Sequence, residues 1–434
     1  MSLSRRTFLW LTGATAGLSV TRVSAQRGQR GSGAAEPVPA SISSLASMRD
    51  QAKPITNDER RARIEQARRL MVEHKLDAVV LAGGTSLAYF TGLRWGGGER
   101  LFAIVLPVKG DPFCVCPAFE EDRAREQLAR GPLASTEVRV WQDDESPFER
   151  TAQGLTDRGI RAGRVGIEET TKFVFADGIA GAAPALKIAS ATPVTAGCRM
   201  IKDGHEIALM RLASQATLKA YEAVYRALAE GQTQDQVRSL IGAAYARLGF
   251  PGEASVQVGE FTALPHGSIQ PQTIREGTII MIDDGCSVEG YQSDITRTFV
   301  LGKATDKMKR VFDIVHQAQT TALEAARPGV PLEALDAAAR KVIVDAGYGP
   351  SFKYFSHRLG HGMGMDGHEW PYLVRHNMFG WASALTLKPG MVFSDEPGIY
   401  IRGEFGVRLE DDLHVTESGA ELFTPQSPSI EQPF

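Results

Sequence analysis

The sequence predicts an α/β N-terminal domain followed by an α+β domain with an internal pseudo-two-fold duplication. Its 434 residues exceed what one hydrophobic core usually organises, which favours two folded domains. Up to about residue 192, short apolar runs alternate with helical stretches. After that point, two helices followed by a strand hairpin occur twice along the chain.

The composition is that of a globular protein, with 43% apolar residues, 23% charged residues and a formal net charge of -3. Lysine and arginine form no dense blocks, so nucleic acid is not expected as a partner, because duplex binding requires clustered cations. The four cysteines are scattered without a Cys-x-x-Cys motif and are predicted to be packing residues. The expected chemistry therefore acts on a small molecule or a peptide.

The first 25 residues are predicted to be a signal peptide. Residues 4–9 read Ser-Arg-Arg-Thr-Phe-Leu, a weakly apolar stretch follows, and Val23-Ser24-Ala25 offers a small-residue cleavage site. This order resembles a twin-arginine export signal, so the protein is predicted to be periplasmic or secreted. A short helix that carries two arginines is the alternative. No stable membrane span is expected, because glycine and threonine dilute the apolar stretch.

Residues 26–53 are rich in Gly, Ser, Ala and Pro and are predicted to be a flexible linker. Residues 54–192 are predicted to be the α/β domain. Its first elements are a helix at 58–74 with apolar residues at helical spacing and a buried strand at 78–81. Further strand-like runs occupy 102–106, 113–116 and 165–168. No residue of this domain is predicted to be catalytic by itself.

Residues 197–425 are predicted to be the duplicated domain. Its second helix begins at Thr233 with a capping box to Gln236 and ends near Gly249. This helix pair recurs, because Gly231 and Gly249 have the same separation as the later pair Gly329 and Gly347. The segments 276–285 and 389–398 also superpose without a gap, which places Asp283 against Glu396.

Two strand hairpins are predicted to bring four carboxylates together. Asp283 and Asp294 would lie directly opposite each other in the first hairpin, and Glu396 and Glu410 would do so across a turn centred on Gly403. Facing like charges repel, so this placement is costly without a cation. Taken singly, Asp294 could be a solvated edge residue and Glu410 part of an acidic turn. The symmetric set favours a metal centre.

Histidines supply nitrogen ligands near these carboxylates in the sequence. His357, His361 and His368 lie in one glycine-rich stretch, and His266 lies in a loop before the first hairpin. Ligand sets rich in oxygen with one or two imidazoles suit divalent ions such as manganese, with cobalt, iron or zinc as alternatives. A pair of such ions is an arrangement in which a bridging hydroxide attacks an amide carbonyl.

Six short segments together resemble the pita-bread metallopeptidases, which include aminopeptidase P (Xaa-Pro aminopeptidase), prolidase and methionine aminopeptidase. The resemblance implies the pita-bread fold for about residues 197–416. The earlier domain, with Tyr89-Phe90-Thr91-Gly92, is similar to that of the branch formed by aminopeptidase P, prolidase and creatinase. The six segments are Ile282-Asp283-Asp284-Gly285, Ser293-Asp294-Ile295-Thr296-Arg297-Thr298-Phe299, Gly360-His361-Gly362-Met363-Gly364, His368-Glu369, Glu396-Pro397-Gly398-Ile399-Tyr400 and Gly406-Val407-Arg408-Leu409-Glu410-Asp411.

The resemblance implies a role for each candidate residue. Glu396 would also accept a proton from the attacking water, and His266 and His368 would stabilise the tetrahedral intermediate and assist departure of the amine. Arg408 would orient a metal-binding carboxylate, and His357 would line the substrate pocket. The implied ligands of two divalent ions, with Asp294 and Glu410 bridging, are Asp283, Asp294, His361, Glu396 and Glu410.

The resemblance implies a homodimeric aminopeptidase that removes the residue before a proline through a hydroxide bridging two metals. Prolidases of this family carry an arginine before the Pro-Gly-Met segment, whereas this chain has Trp381-Ala-Ser-Ala-Leu385 there. The missing arginine disfavours a strict dipeptidase, which is the alternative, although Arg375 could replace it. Another small-molecule hydrolase or lyase, or a binding module without catalysis, are further alternatives. The complete set of five ligands disfavours the binding module.

Overall fold

A six-stranded sheet with helices on both faces forms the N-terminal half of the protein. The computed structural model describes residues 38–376 and 385–434. The strands of the sheet are β1 (Ala78–Ala82), β2 (Ala103–Pro107), β3 (Phe113–Pro117), β4 (Glu137–Trp141), β5 (Gly163–Ile167) and β6 (Leu186–Ser190). The helices of this half and of the segment before it are α1 (Ala40–Ser43), α2 (Asn57–Glu73), α3 (Thr85–Thr91), α4 (Glu121–Arg130), α5 (Pro147–Asp157), α6 (Phe173–Ala182) and α7 (Thr192–Arg199).

The strand order is β4-β3-β2-β1-β5-β6, with β2 antiparallel to both of its neighbours and the other pairs parallel. Because neighbouring side chains of a strand point to opposite faces, β1 contributes to two cores. Val79 and Leu81 pack into one core, and Ala78 and Val80 pack into the other. The alternation of strands and helices predicted for this half is confirmed.

The second half contains two helix pairs and several small sheets, which are the α+β elements that the sequence predicts. Its helices are α8 (Gly204–Tyr225), α9 (Gln234–Leu248), α10 (Asp306–Ala325) and α11 (Leu332–Asp345). Its first strands are β7 (Ser255–Val258), β8 (Ile279–Asp283), β9 (Ser287–Val288), β10 (Tyr291–Gln292) and β11 (Arg297–Val300). Its later strands are β12 (His361–Gly362), β13 (Glu369–Tyr372), β14 (Val392–Asp395), β15 (Gly398–Ile401), β16 (Phe405–Arg408), β17 (Asp411–Val415) and β18 (Ala420–Leu422).

Matching backbone hydrogen bonds show the duplication directly. In the first repeat, the Gly231 amide donates to the Ile274 carbonyl, and the Ile274 amide donates back to residue 232. In the second repeat, the Gly329 amide donates to the Leu387 carbonyl, and the Leu387 amide donates back to residue 330. Gly231 and Gly329 both have left-handed φ angles, 89° and 87°. The internal pseudo-two-fold duplication is therefore confirmed at the level of single hydrogen bonds.

The register of the first hairpin differs from the prediction. Ile282 of β8 lies opposite Arg297 of β11, so the residue that continues opposite Asp283 is Thr296 and not Asp294. The difference is two residues, and a shift of two leaves every side chain on the same face of the sheet. Asp294 therefore still lies on the same face of the sheet as Asp283, as its diagonal neighbour.

The register of the second hairpin agrees with the prediction. Gly398 lies opposite Arg408 in the pair of β15 and β16, and the turn is centred on Gly403, which has a φ of 79°. Asp395 lies opposite Asp411 in the adjoining pair of β14 and β17. Glu396 and Glu410 are the positions between these two ladders, so they face each other.

Residues 38–53 do not form the flexible linker that the composition predicts. Ile42 of α1 and Met48 are almost completely buried in the core that also contains α8 and α9. The Met48 amide donates to the Leu248 carbonyl at 2.9 Å, and the Ser41 hydroxyl donates to the Ala223 carbonyl at 2.7 Å. The apolar side chains of this segment cover an apolar surface of the helix pair. The free energy gained from this burial outweighs the flexibility expected from the small and polar residues of the segment.

The predicted signal peptide, residues 1–25, and the first part of the predicted linker, residues 26–37, lie outside the described residues. Within the described part of the chain, no helix has the length and apolar character needed to cross a bilayer. All four cysteines are buried and unpaired, which agrees with their predicted role in packing.

Candidate metal centre

The predicted metal ligands come from both repeats and meet in one cavity of about 550 Å³. Asp283 ends β8, and Asp294 lies between β10 and β11. His361 begins β12, whereas Glu396 follows β14 and Glu410 precedes β17. The cavity is lined by Pro265, His266, Asp283, Asp284, Asp294, Phe352, Ser356, His357, Arg358, His361, His368, Val374, Glu396, Arg408 and Glu410. Every residue predicted to bind metal, to take part in catalysis or to line the substrate pocket is among them, whereas Arg375 is not.

The ligand atoms of these residues lie close enough together to hold metal ions. Asp283, Asp294 and Glu410 form one group in which the carboxylate oxygens lie within 4.8 Å of one another. His361, Glu396 and Glu410 form a second group under the same limit. Glu410 belongs to both groups, and Asp294 also belongs to a third group with two histidines, so these two carboxylates are shared between neighbouring positions.

Electrostatic repulsion in this cluster indicates that it is built for cations. Burial and the charge of Asp283 raise the pKa of Asp294 well above its ordinary range, and burial and the charge of Asp294 do the same for Glu410. Burial raises the pKa of Glu396 to about 7. Buried carboxylates that repel each other are stabilised when a divalent cation neutralises them. The donor set therefore fits hard or borderline divalent metals.

Arg408 and Thr296 hold Asp283 in its charged form. The Arg408 guanidinium forms an ion pair with Asp283, and its Nε donates to the Thr296 hydroxyl at 3.0 Å. The Thr296 hydroxyl lies between the two repeats, in contact with Asp283 and 2.7 Å from Glu410. Burial opposes ionisation of Asp283, but the charge of Arg408 and the hydrogen bond from Thr296 keep its pKa below the usual range.

A chain of hydrogen bonds connects Arg408 to His357. Arg408 Nη1 donates to the Tyr400 hydroxyl at 3.0 Å, and that hydroxyl lies 2.7 Å from His357 Nε2. His357 Nδ1 lies 2.8 Å from the Arg358 carbonyl, which can only accept, so Nδ1 carries the proton. Burial and the charge of Arg408 lower the pKa of His357 to about 3. His357 is therefore a neutral ring at the cavity wall.

His361 and His368 stack with their ring centroids 3.6 Å apart. His361 is buried within the ligand cluster, whereas His368 is exposed to the cavity. Burial and the charge of Arg358 lower the pKa of His368, and Arg358 Nη2 lies 3.1 Å from His368 Nδ1. Because arginine can only donate, Nδ1 of His368 is the acceptor and Nε2 carries the proton.

His266 also lines the cavity, in an exposed loop before β8. A turn at Gly267, which has a φ of 74°, closes this loop, and its amide donates to the Leu264 carbonyl at 2.8 Å. The Pro265 carbonyl accepts a hydrogen bond of 3.0 Å from Arg408 Nη1. The loop that carries His266 is thus tied to the residue that orients Asp283.

The structure adds site residues that the sequence analysis does not assign. Thr296 and Tyr400 lie within segments that carry the family resemblance, but the contact of Thr296 with Glu410 joins distant strands, and that of Tyr400 with Arg408 depends on the pairing of β15 and β16. Arg358, three residues before His361, also lines the cavity. Arg375, the predicted substitute for the prolidase arginine, is exposed, does not line the cavity and donates to His376 at 2.9 Å. The suggested substitution by Arg375 is therefore not supported.

Comparison with known proteins identifies this architecture. Residues 208–417 match the family model of Metallopeptidase family M24, and residues 63–201 match that of the Creatinase/Prolidase N-terminal domain. The probable dipeptidase PepE of Mycobacterium tuberculosis (strain ATCC 25618 / H37Rv) is 36% identical over 80% of this chain and 89% of its own length. The Xaa-Pro dipeptidase of Lactobacillus helveticus is 32% identical over 80% of this chain and 92% of its own length.

The crystal structure of dipeptidase PepE from Mycobacterium ulcerans superposes with a TM-score of 0.80. It is 31% identical and covers 87% of this chain and 99% of its own. The predicted pita-bread fold is thereby confirmed, together with its creatinase-like N-terminal domain. The two matched regions, the relatives of nearly full length and the cluster of metal-binding residues agree. This chain belongs to metallopeptidase family M24 and is a peptidase of the aminopeptidase P and prolidase branch.

Proposed function

We propose that the protein hydrolyses the peptide bond between an N-terminal residue and a following proline in dipeptides, with two divalent ions. The observation that carries the proposal is the convergence of five ligand side chains, with Asp294 and Glu410 shared between neighbouring groups. The names of the similar proteins, dipeptidase and Xaa-Pro dipeptidase, support a short peptide as substrate. The proposed ligands are Asp283, Asp294, His361, Glu396 and Glu410.

The donor set supports manganese as the first choice of metal, because four carboxylates and one imidazole form it. Cobalt, iron and zinc remain alternatives, since they accept the same donors. When bound, such ions lower the pKa of a water molecule and polarise the carbonyl of the bond to be cleaved.

The surrounding side chains would carry out the proton transfers. Glu396 lies 3.3 Å from His361 and accepts a hydrogen bond from the Ser394 hydroxyl, so its carboxylate is oriented towards the cluster. We assign it the proton released by the attacking water. The Nε2 proton of His368, together with His266 in the cavity lining, would stabilise the oxyanion and then assist departure of the amine. Arg408 would keep Asp283 ionised throughout.

An aminopeptidase that accepts longer peptides is the second candidate. It is favoured by residues 381–385, which lack the arginine that prolidases of this family use for the free carboxylate of a dipeptide. The two candidates share the metal centre and the bond that is cleaved. They differ only in whether the residue after the cleaved bond must end in a carboxylate.

The first experiment measures bound metal and activity together. The purified protein is expected to contain about two ions per chain and to cleave Leu-Pro, and a chelator is expected to abolish cleavage. Asp294→Ala should bind less metal and lose activity, whereas Asp313→Ala, an exposed carboxylate on α10, should do neither. Circular dichroism would confirm that both variants fold. Full activity after complete removal of metal would contradict the proposal.

We also propose that the protein is exported and dimeric. The support for export is the twin-arginine pattern at Arg5 and Arg6 with the small-residue site that ends at Ala25. Replacing both arginines by lysine should retain the protein in the cytoplasm of a host with twin-arginine export, as measured by fractionation.

Light scattering would test for the dimer, and a monomer at micromolar concentration would contradict it.

A further inference from the structure

Arg358 is a cationic side chain in the cavity, and within residues 38–376 and 385–434 it forms no ion pair with a carboxylate. The other arginine of the cavity, Arg408, is fully engaged by Asp283, Tyr400 and the Pro265 carbonyl. Arg358 has one hydrogen-bond contact from its guanidinium, 3.1 Å from Nη2 to His368 Nδ1. Its remaining N–H groups are therefore free to bind a ligand in the cavity.

We infer that Arg358 binds the C-terminal carboxylate of a dipeptide substrate and so determines the preference for dipeptides. This inference rests on the proposed function, because it concerns the same cavity. Arginine is suited to this task, since its planar N–H groups match a carboxylate with two parallel hydrogen bonds. Arg358 would supply the cation that the segment 381–385 lacks.

The guanidinium of Arg358 is held in place for such a contact. It lies over the ring of Tyr372, 4.6 Å from the ring centroid, which leaves the edge of the guanidinium group open. The backbone on either side is also fixed. The Arg358 carbonyl is 2.8 Å from His357 Nδ1, and the Leu359 amide donates to Asp336 at 2.8 Å. The cation is thus positioned before any ligand binds.

The position of Arg358 suits the length of a dipeptide. His361 belongs to the ligand cluster, His368 stacks on it with a centroid distance of 3.6 Å, and Arg358 contacts the edge of the His368 ring at Nδ1. In an extended peptide each residue adds ~3.3–3.6 Å, so the carboxylate of a dipeptide lies one residue beyond the bond that is cleaved. A longer peptide has a neutral amide at that place and gains no ionic contact.

The charge of the cavity makes such a cation necessary. The ligand carboxylates, among them Asp283, Asp294 and Glu410, would balance the charge of two bound divalent ions, so the metal centre leaves no net positive charge for the carboxylate of a dipeptide. A free cation in a partly desolvated cavity is costly unless its partner arrives with the ligand. The carboxylate of a dipeptide would be that partner for Arg358, whereas Arg375 is exposed and lies outside the cavity lining.

Kinetics with three substrates separate this role from simple orientation of His368. The substrates are Leu-Pro, its C-terminal amide and Leu-Pro-Gly, assayed with the metal-loaded wild type, Arg358→Gln, Arg358→Lys and the surface control Arg375→Gln. Hydrogen bonds between charged groups correspond to about 10- to 100-fold in binding, so Arg358→Gln should raise the KM for Leu-Pro by that factor. Its preference for Leu-Pro over the amide should fall to about one.

Arg358→Lys should keep part of that preference, because the charge remains without the paired geometry, and Arg375→Gln should keep all of it. A uniform fall of kcat on all three substrates would overturn the inference, since it would mean that Arg358 only orients His368. A wild type without preference for Leu-Pro over its amide would also overturn it.

A binding measurement on metal-free protein distinguishes failure of the inference from failure of the proposed function. Calorimetry should show that the wild type binds Leu-Pro more tightly than the amide and that Arg358→Gln does not. If this difference is found but metal-loaded protein cleaves no Xaa-Pro bond, the carboxylate site stands and the proposed function fails. If cleavage is found but equal or undetectable binding is measured for the two ligands, the proposed function stands and the inference fails.

Discussion

Single side chains connect the two repeats at the metal centre. Thr296 of the first repeat contacts Asp283 of its own hairpin and Glu410 of the second. Arg408 of the second repeat pairs with Asp283 of the first. Because each side chain spans both hairpins, a change at one position affects carboxylates in both halves of the ligand cluster.

Replacing Arg408 by lysine should lower activity while the protein stays folded. A lysine keeps the charge but cannot donate at once to Asp283, Thr296 and Tyr400. Loss of such an orienting contact typically lowers metal affinity or activity about 10- to 100-fold. Titration of metal into the metal-free variant, followed by a cleavage assay, measures both quantities. Arg402→Lys, an exposed arginine near the tip of the same hairpin, is the matched control and should match the wild type.

At the scale of elements, the two hairpins explain why the carboxylates converge. In the second hairpin one continuous register runs from β14 and β17 into β15 and β16, so Glu396 and Glu410 meet between the two ladders. In the first hairpin Thr296 is opposite Asp283, and Asp294 reaches the cluster from a diagonal position. The duplication therefore repeats the backbone closely but places its two carboxylate pairs with different geometry.

The segment before α2 is a structural element, and its removal or weakening should destabilise the second half of the protein. Ile42→Ala should lower the free energy of unfolding by about 2–5 kcal/mol, because Ile42 is completely buried against the core of α8 and α9. Val38→Ala should change it by less than about 0.5 kcal/mol, because Val38 is 51% exposed. Urea unfolding of both variants measures the difference. Equal stabilities would mean that the segment detaches in solution.

At the scale of the whole molecule, buried polar contacts join the two halves. Arg199 of α7 forms ion pairs with Asp366 and Glu369, and Lys202 also pairs with Glu369, at 2.9 Å. Asp366 in turn accepts a hydrogen bond of 2.6 Å from Thr85 at the start of α3. Removal of one partner would leave a buried charge unpaired, which is strongly unfavourable. Glu369 adjoins His368, so this interface also supports the wall of the cavity.

The contact of His205 with Glu59, which also joins the two halves, should make the stability of the protein depend on pH. His205 Nδ1 lies 2.6 Å from Glu59 at the start of α2, and Nε2 lies 3.0 Å from the Lys53 carbonyl, so only the protonated ring donates to both. Burial works against protonation, but the hydrogen bond and charge of Glu59, with a smaller effect of Asp203, raise the pKa of His205. The pKa of Glu59 is lowered to about 2, where burial is outweighed by hydrogen bonds from Thr56 and His205.

Because the pKa of His205 is raised in the folded state, its contribution is complete below about pH 6.5 and is lost as pH rises through the raised value. Glu59 contributes above its ordinary pKa and loses this only as pH falls towards 2. A double-mutant cycle with His205→Gln and Glu59→Gln should therefore give a larger coupling free energy at pH 6 than at pH 9. Chemical unfolding at both values measures it. The same coupling at both would show that the contact does not depend on protonation.

Features that depend on neighbouring residues could be predicted from the sequence. The capping box of α9, with Thr233 and Gln236, follows from neighbouring residues, and the structure has it. The repeat of Gly231 and Gly329 predicted the duplication, because these positions adopt left-handed backbone that glycine tolerates best. The convergence of four carboxylates was also predicted from the two hairpins, since carboxylates at the ends of β-branched runs are rare without a cation, whereas the set of five ligands was implied by the family resemblance.

Features that depend on distant parts of the chain could not be predicted from the sequence. The register of the first hairpin depends on packing of β8 and β11, so it could not be derived from turn residues alone. Burial of Ile42 depends on an apolar surface more than 160 residues away, at α8 and α9. Arg358 faces the cavity and Arg375 does not, although both lie near the histidines in sequence. Neighbouring residues determine local conformation, whereas the direction of a side chain in a folded cavity is determined by contacts across the whole domain.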